Sequence, residues 1–169
     1  TLLHMRGLSL TGLGRFDEAI ALHDKGIAIE RRVYGDNLGQ VALTSTFLAL
    51  AQIRAGRGAK ALEALVTARA LADKHLAGNA AIAGTITLLH AMALEADGQL
   101  AEARTAFETF EPVARTTFPG GTELAWTLGG LARARLHQQR AEDAAKLLEE
   151  ALAMLESSYG PTSLELAPT

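Results

Sequence analysis

The fold of this chain is decided by a hexamer that recurs at a nearly constant interval along its 169 residues. The four copies are GRFDEA at 14–19, GRGAKA at 56–61, GQLAEA at 98–103 and QRAEDA at 139–144. Their first residues are spaced 42, 42 and 41 positions apart, and every copy ends in alanine. Self-similarity at a fixed period of roughly 20 to 50 residues is typical of repeat proteins, in which one supersecondary motif is copied along the chain.

Three further columns of residues keep the spacing of the hexamer. A bulky residue follows each hexamer start by twenty positions, with glycine one or two positions later; these residues are Tyr34, Leu76, Phe118 and Tyr159. A small residue precedes each start by seven positions, at Gly7, Ala49, Ala91 and Ala132. A mostly small residue follows each start by twelve positions, at Gly26, Ala68, Phe110 and Ala151. Small residues at fixed positions allow two helices to approach closely where they cross.

The segments on either side of each hexamer carry apolar residues at helical spacing, as in the run that begins Ala144, Leu147, Leu148, Ala151. Glycine at the hexamer start suits the left-handed position just after a helix. Each repeat is therefore predicted to contain two helices joined by a tight turn. The predicted helices are 2–13, 16–32, 38–55, 58–75, 79–97, 100–116, 121–138 and 141–157. Pro112 is expected to kink or shorten the sixth helix.

Composition supports a helical protein and excludes several classes of function. The chain is 49% apolar, only 5% aromatic and has no cysteine, so a disulfide scaffold is excluded. A net charge of −3 offers no basic surface for nucleic acid or an anionic membrane. The stretch 75–94 has no charged side chain, but it is too polar for a membrane span. We therefore expect neither nucleic acid nor a membrane as a partner.

The columns resemble the tetratricopeptide repeat, in which small residues mark the middle of the first helix and two positions of the second. Ala49, Ala61 and Ala68 match this pattern best. The 42-residue period and the Tyr-Gly after the second helix are similar to the kinesin-light-chain type. The resemblance implies an all-α fold, a right-handed superhelical α-solenoid of antiparallel helix pairs with about four repeats and eight helices. It implies one repeat domain over 1–169, divided into 1–35, 36–77, 78–119 and 120–160, with 161–169 opening a further repeat of a longer protein.

In that family the first helix of each pair lines a concave groove. The resemblance implies a partner-binding groove formed by Thr46, Leu50, Arg54, Leu88, Met92, Glu95, Trp126, Arg133 and His137. His4 and Leu8 would extend this groove. The paired asparagines that hold peptides in the light-chain type are replaced here by Thr46-Phe47, Leu88-Leu89 and Gly129-Gly130, so that ligand mode is not transferred. The alternative is that Leu50, Leu88 and Met92 are core residues, and Trp126 could be an anchor or a packing residue.

The sequence favours a non-catalytic module that binds a peptide or partner protein in the groove, without cofactor or metal. No metalloprotease, hydrolase or phosphate-loop motif is present, and the five histidines lack metal-ligand spacing. The expected host is a multidomain bacterial signalling or regulatory protein in the cytoplasm; the 12 arginines against 4 lysines favour a GC-rich genome. The first alternative is structural self-association through terminal repeats, or a spacer. An enzyme is the remote alternative.

Overall fold

Eight helices make up the part of the chain that the computed structural model describes, residues 2–35 and 39–160. They are α1 (Leu2–Gly12), α2 (Phe16–Tyr34), α3 (Gly39–Arg54), α4 (Gly58–His75), α5 (Ala80–Ala96), α6 (Leu100–Thr117), α7 (Thr122–His137) and α8 (Ala141–Tyr159). No strand occurs within these two ranges. The predicted helix bounds agree to within two residues. The predicted start of a fifth repeat, 161–169, lies outside the described residues.

The turn at each hexamer has the same hydrogen-bond pattern. At the second hexamer, the amide of Gly56 donates to the carbonyl of Ile53 (2.9 Å) and that of Arg57 to Gln52 (2.8 Å). These two hydrogen bonds together form the Schellman motif, which requires a residue in the left-handed conformation just after the helix. Glycine supplies φ of 73°, 69° and 81° in the first three turns, and Gln139 takes φ of 60° in the fourth. The predicted left-handed glycines are confirmed, and Gln139 adopts the same conformation without the freedom of glycine.

Pro112 does not shorten α6, so the shortening that was offered as one of its two expected effects is wrong. The helix continues from Leu100 to Thr117 with the proline inside it. Proline lacks the amide that would bond to the carbonyl of Glu108, and both residues are exposed. Water can therefore satisfy that carbonyl, which explains why the helix continues past the proline.

The chain forms two compact units, Thr1–Gln99 and Leu100–Thr169. In the first, helices that follow one another along the chain pack together, and α3 also packs against α1 and α5. In the second, α7 packs against both α6 and α8. We call α1, α3, α5 and α7 the A helices and α2, α4, α6 and α8 the B helices. The single repeat domain over 1–169 stays a prediction.

The small columns explain how the helices pack within each unit. The last alanine of every hexamer is buried, and so is the small column of the A helices. One further contact recurs where a B helix meets the next A helix within a unit. It joins the residue nine positions after a hexamer start to the residue nine positions before the next start, and we call these two residues a junction pair. The junction pairs are His23–Phe47 and Phe107–Gly130, whose members contact each other, and Leu65–Leu89, whose members lie in one core cluster.

Candidate protein-binding surfaces

Two of the predicted groove residues lie in the interior of the first unit. Leu88 is fully buried in α5, and Thr46 in α3 is only 7% exposed. The Thr46 hydroxyl donates to the carbonyl of Ala42 in its own helix (2.9 Å). Neither side chain offers surface to a partner in this structure, because both are buried where their helices pack against neighbouring ones: α3 against α1, α2, α4 and α5, and α5 against α3 and α4. For Leu88, the alternative of a core residue is correct.

The other predicted residues of the first unit lie closer to the surface. Leu50 and Met92 are half-buried and pack against the core cluster shared by α3, α4 and α5. Arg54 is exposed at the end of α3, and Glu95 is half-exposed near the end of α5. These four residues define the first candidate surface. It combines accessible apolar area with one cationic and one anionic side chain.

The second candidate surface lies on α7. Trp126, Arg133 and His137 are separated by seven and four positions, so they share one face of the helix. Trp126 is half-buried, while Arg133 and His137 are exposed. Gly129 stands between Trp126 and Arg133 on the same face, and a Cβ there would have Arg133 Nη1 as its nearest neighbour at 3.7 Å. The face therefore presents an indole, a stretch of bare backbone and two nitrogen-rich side chains.

His4 does not extend the groove, contrary to the prediction. It is buried where α1, α2 and α3 meet, and its Nε2 lies 2.8 Å from Glu30 Oε1. The contact is an ion pair only with the ring of His4 protonated, and Glu30 Oε1 accepts no hydrogen bond from a described residue. The Thr44 hydroxyl donates to the other carboxylate oxygen of Glu30 (2.7 Å), and Gln40 Nε2 lies 3.0 Å from His4 Nε2. Leu8, the other proposed extension, is half-buried on α1.

His23 completes this buried polar cluster. Its ring stacks on Phe47 at a centroid distance of 6.2 Å and lies 6.4 Å from the ring of His4. Neither ring nitrogen of His23 has a hydrogen-bond partner among the described residues. Burial, and then the charge of His4, lowers the pKa of His23 from 6.5 to about 4. His23 is therefore held neutral near physiological pH, as a packing residue.

The sequence contained a signal for this cluster. His23 stands in the column of Leu65 and Phe107, and Glu30 stands sixteen positions after its hexamer start, where the next two repeats have Ala72 and Ala114. A polar residue in a column that is otherwise apolar indicates a buried polar site. Sequence reasoning that treated each histidine as solitary missed it.

The described residues offer neither a cluster of metal ligands nor a membrane-spanning helix. Within residues 2–35 and 39–160, no group of three or more His, Cys, Asp or Glu side chains could hold a metal ion. None of the described helices has the length and apolar character needed to cross a membrane.

A family profile described as tetratricopeptide repeat matches residues 1–74 and 83–167. The chain therefore belongs to the tetratricopeptide repeat family, and the predicted family and all-α repeat fold are confirmed. Members of this family generally mediate protein–protein interaction. No match to this chain was found among curated proteins.

Similar solved structures include a protein assigned as a kinesin light chain with nearly identical TPR-like repeats, from Podosopora anserina. It is 19% identical to this chain, with a TM-score of 0.42, and the match covers 93% of this chain and 95% of that one. A single-substitution variant of the same protein is 18% identical, with the same TM-score, and the match covers 92% and 94%.

Proposed function

We propose that the chain is a non-catalytic module that binds a peptide or partner protein on its A helices. The observation that carries this proposal is the face of α7 that presents Trp126, Gly129, Arg133 and His137 together. Tryptophan and arginine are among the residues most enriched at the energetic centres of protein interfaces. The bare backbone at Gly129 allows an extended chain or a helix to approach closely.

The chemistry of this face favours an acidic, partly apolar segment. Arg133 supplies a planar fork of donors that suits a carboxylate, and His137 adds a second nitrogen ligand on the same side. Trp126 offers a broad apolar surface with one donor. In the first unit, Leu50 and Met92 supply apolar area, with Arg54 and Glu95 at its edge.

A phage-displayed random peptide library, panned against the purified chain, tests this proposal. Enriched peptides should carry acidic residues beside an apolar one. Their affinity for the Trp126→Ala variant should be lower by about tenfold or more, as expected at a hot spot. Val113→Ala, which shortens an exposed apolar side chain on α6, is the matched control and should bind as the wild type does.

The stability of each variant separates a binding role from a packing role. A large fall in melting temperature for Trp126→Ala, with peptide affinity unchanged, would show that the indole serves packing and would overturn the proposal. A loss of affinity with a small change in melting temperature supports it.

We further propose that the host is a multidomain bacterial signalling or regulatory protein of the cytoplasm. The support is the arginine-rich, alanine-rich composition and the frequent occurrence of such repeats beside other domains. The flanking coding sequence and cell fractionation test this directly. A host without further domains, or one recovered outside the cytoplasm, would contradict the proposal.

A further inference from the structure

The surface where a B helix meets the next A helix differs in chemistry from one repeat to the next, and we call this surface a junction. At the junction of α2 with α3, the Thr44 hydroxyl donates to the buried carboxylate of Glu30 (2.7 Å). At the junction of α4 with α5, Arg69 Nη2 donates to Thr87 Oγ1 (2.6 Å). Both junctions therefore contain a hydrogen bond between a charged side chain of the B helix and a hydroxyl of the A helix.

The junction of α6 with α7 is steric instead of polar. Gly130 leaves the space that the Phe107 ring fills, and a Cβ at position 130 would lie 2.6 Å from Phe107 Cε1. Two carbon atoms do not approach so closely, so this ring requires glycine opposite it. The residue of α3 equivalent to Gly130 is Phe47, whose side chain would overlap the ring.

The charged side chains of the other two junctions are satisfied only by the correct A helix. We call it a slip when a B helix packs against the A helix one repeat too far along the chain. A slip of α2 onto α5 would set the Glu30 carboxylate against Ile86, in place of a hydroxyl. A slip of α4 onto α7 would likewise set the Arg69 guanidinium against Leu128. Because a buried charge without a partner is costly, both slips are disfavoured.

The A helices are otherwise alike where they cross the B helices, since Ala49, Ala91 and Ala132 stand in one buried column. A slip loops out one repeat of about 42 residues, and the entropy of closing a loop rises only slowly with its length. Misassembly between similar elements is a characteristic failure of repeat proteins. Correct pairing therefore needs side chains that reject the wrong helix as well as side chains that accept the right one.

We propose that the three junctions form a conformational device that fixes which helices pair. Each junction excludes a wrong pairing by its own chemistry, through the Glu30 carboxylate, the Arg69 guanidinium or the Phe107 ring. The device explains why a glutamate stands in a buried column that holds Ala72 and Ala114 in the next two repeats. Buried polar groups specify pairing in this way in some other proteins, at a cost in stability. The inference is independent of the peptide-binding proposal.

The first test gives α6 a second partner. α3 already matches α7 at Thr44 and Thr127, so Phe47→Gly makes it match at the position of Gly130 as well. The full chain is unfolded in guanidinium chloride and diluted, and native molecules are counted over time by interrupted refolding. The fraction of molecules that becomes native slowly, which we call the slow fraction, should rise by about twofold or more, because competing pairings populate kinetic traps.

Phe47→Ala is the matched control for Phe47→Gly. It removes the same ring but keeps a Cβ, which would overlap Phe107 as a Cβ at Gly130 would, so its slow fraction should equal that of the wild type. Proline isomerisation also produces slow folding, but the four prolines are present in every variant. An equal rise in both variants would show that loss of the ring slows folding. No rise in either variant would show that Phe47 excludes nothing, and each of these results would overturn the proposal.

The second test removes the polar contact at the junction of α2 with α3. The double variant His4→Leu and Glu30→Ala replaces both residues by those of the same columns, Leu88 and Ala72. The Thr44 hydroxyl keeps its hydrogen bond to a backbone carbonyl of its own helix (3.1 Å). Apolar replacement of a buried ion pair is often neutral or stabilising, so the guanidinium midpoint should stay equal or rise. The slow fraction should nevertheless rise by about twofold or more, because α2 then accepts α5 as well as α3.

The slow fraction separates pairing from stability. A contact that only stabilises the fold changes the guanidinium midpoint of the double variant and leaves its slow fraction as in the wild type. An unchanged slow fraction, whatever the midpoint, would therefore overturn the proposal. Far-ultraviolet circular dichroism confirms that each variant keeps its helices.

Discussion

Acidification should destabilise the first unit through His23. The ring is fully buried, stacked on Phe47, and lies over Gly7, where a side chain would overlap it. The titratable group that faces it is His4 from α1, which in turn contacts Glu30 from α2. Burial lowers the pKa of His23 to about 4, so the folded chain resists protonation of this ring.

The sign and size of the effect follow from linkage between proton binding and folding. The unfolded chain, with a histidine pKa near 6.5, binds the proton more readily than the folded chain does. The contribution to stability is therefore fully present above pH 6.5 and is lost as the pH falls towards 4. The pKa difference corresponds to about 3 kcal/mol in full, and to about 2 kcal/mol between pH 7 and pH 5.

Guanidinium unfolding, followed by circular dichroism at pH 7 and pH 5, measures this loss in the wild type and in His23→Leu. Leucine occupies the same column at Leu65, so the substitution fits the repeat. It also keeps His4 and Glu30, so the difference between the two proteins isolates His23. The wild type should lose about 2 kcal/mol more than the variant. Equal losses in the two proteins would refute the reasoning.

Gln139→Gly should raise the free energy of unfolding by about 1 kcal/mol, because it removes the cost of a left-handed non-glycine residue. Urea titration measures the free energy of unfolding of both variants. Gln138→Gly, one residue earlier and with a negative φ, should give no gain. A gain at Gln138 would show that the effect comes from chain flexibility and not from relief of the left-handed conformation. Gly130→Ala should lower the free energy of unfolding by about 1–3 kcal/mol, because its Cβ would overlap the Phe107 ring. A Cβ at Gly129 would make only ordinary van der Waals contact with the Arg133 side chain, so Gly129→Ala should be neutral or stabilising. Equal losses at 129 and 130 would contradict the packing argument.

The helices and turns could be predicted from the sequence because repetition shows the same local choice several times. Gly14, Gly56 and Gly98 occupy one conformation, and the alanine five positions later is buried each time. Gln139 shows that the turn is set by the whole repeat, since the fourth turn forms without glycine. Periodicity alone therefore located each of the eight described helices.

The candidate site was less predictable because exposure depends on the neighbours of a column. Leu88 and Gly129 stand ten positions before their hexamer starts, yet Leu88 is buried and Gly129 is partly exposed. Successive residues of a helix point about 100° apart around its axis. The residue nine positions before a hexamer start therefore lies in the junction pair, whereas the residue ten positions before it was assigned to the groove. The predicted exposure of His4 was wrong for the same reason, because α3, the next A helix, packs over it through Gln40 and Thr44.

The junction pairs determine which part of the chain can be exchanged as a block. A pair such as Phe107–Gly130 matches a large side chain on a B helix with a small one on the following A helix. A cut in the connection between α6 and α7 would separate the two matched residues, whereas cuts at the turns around Gly98 and Gln139 would keep them together. The natural module for shuffling, duplication or design is therefore a B helix with the A helix that follows it, bounded by left-handed turns.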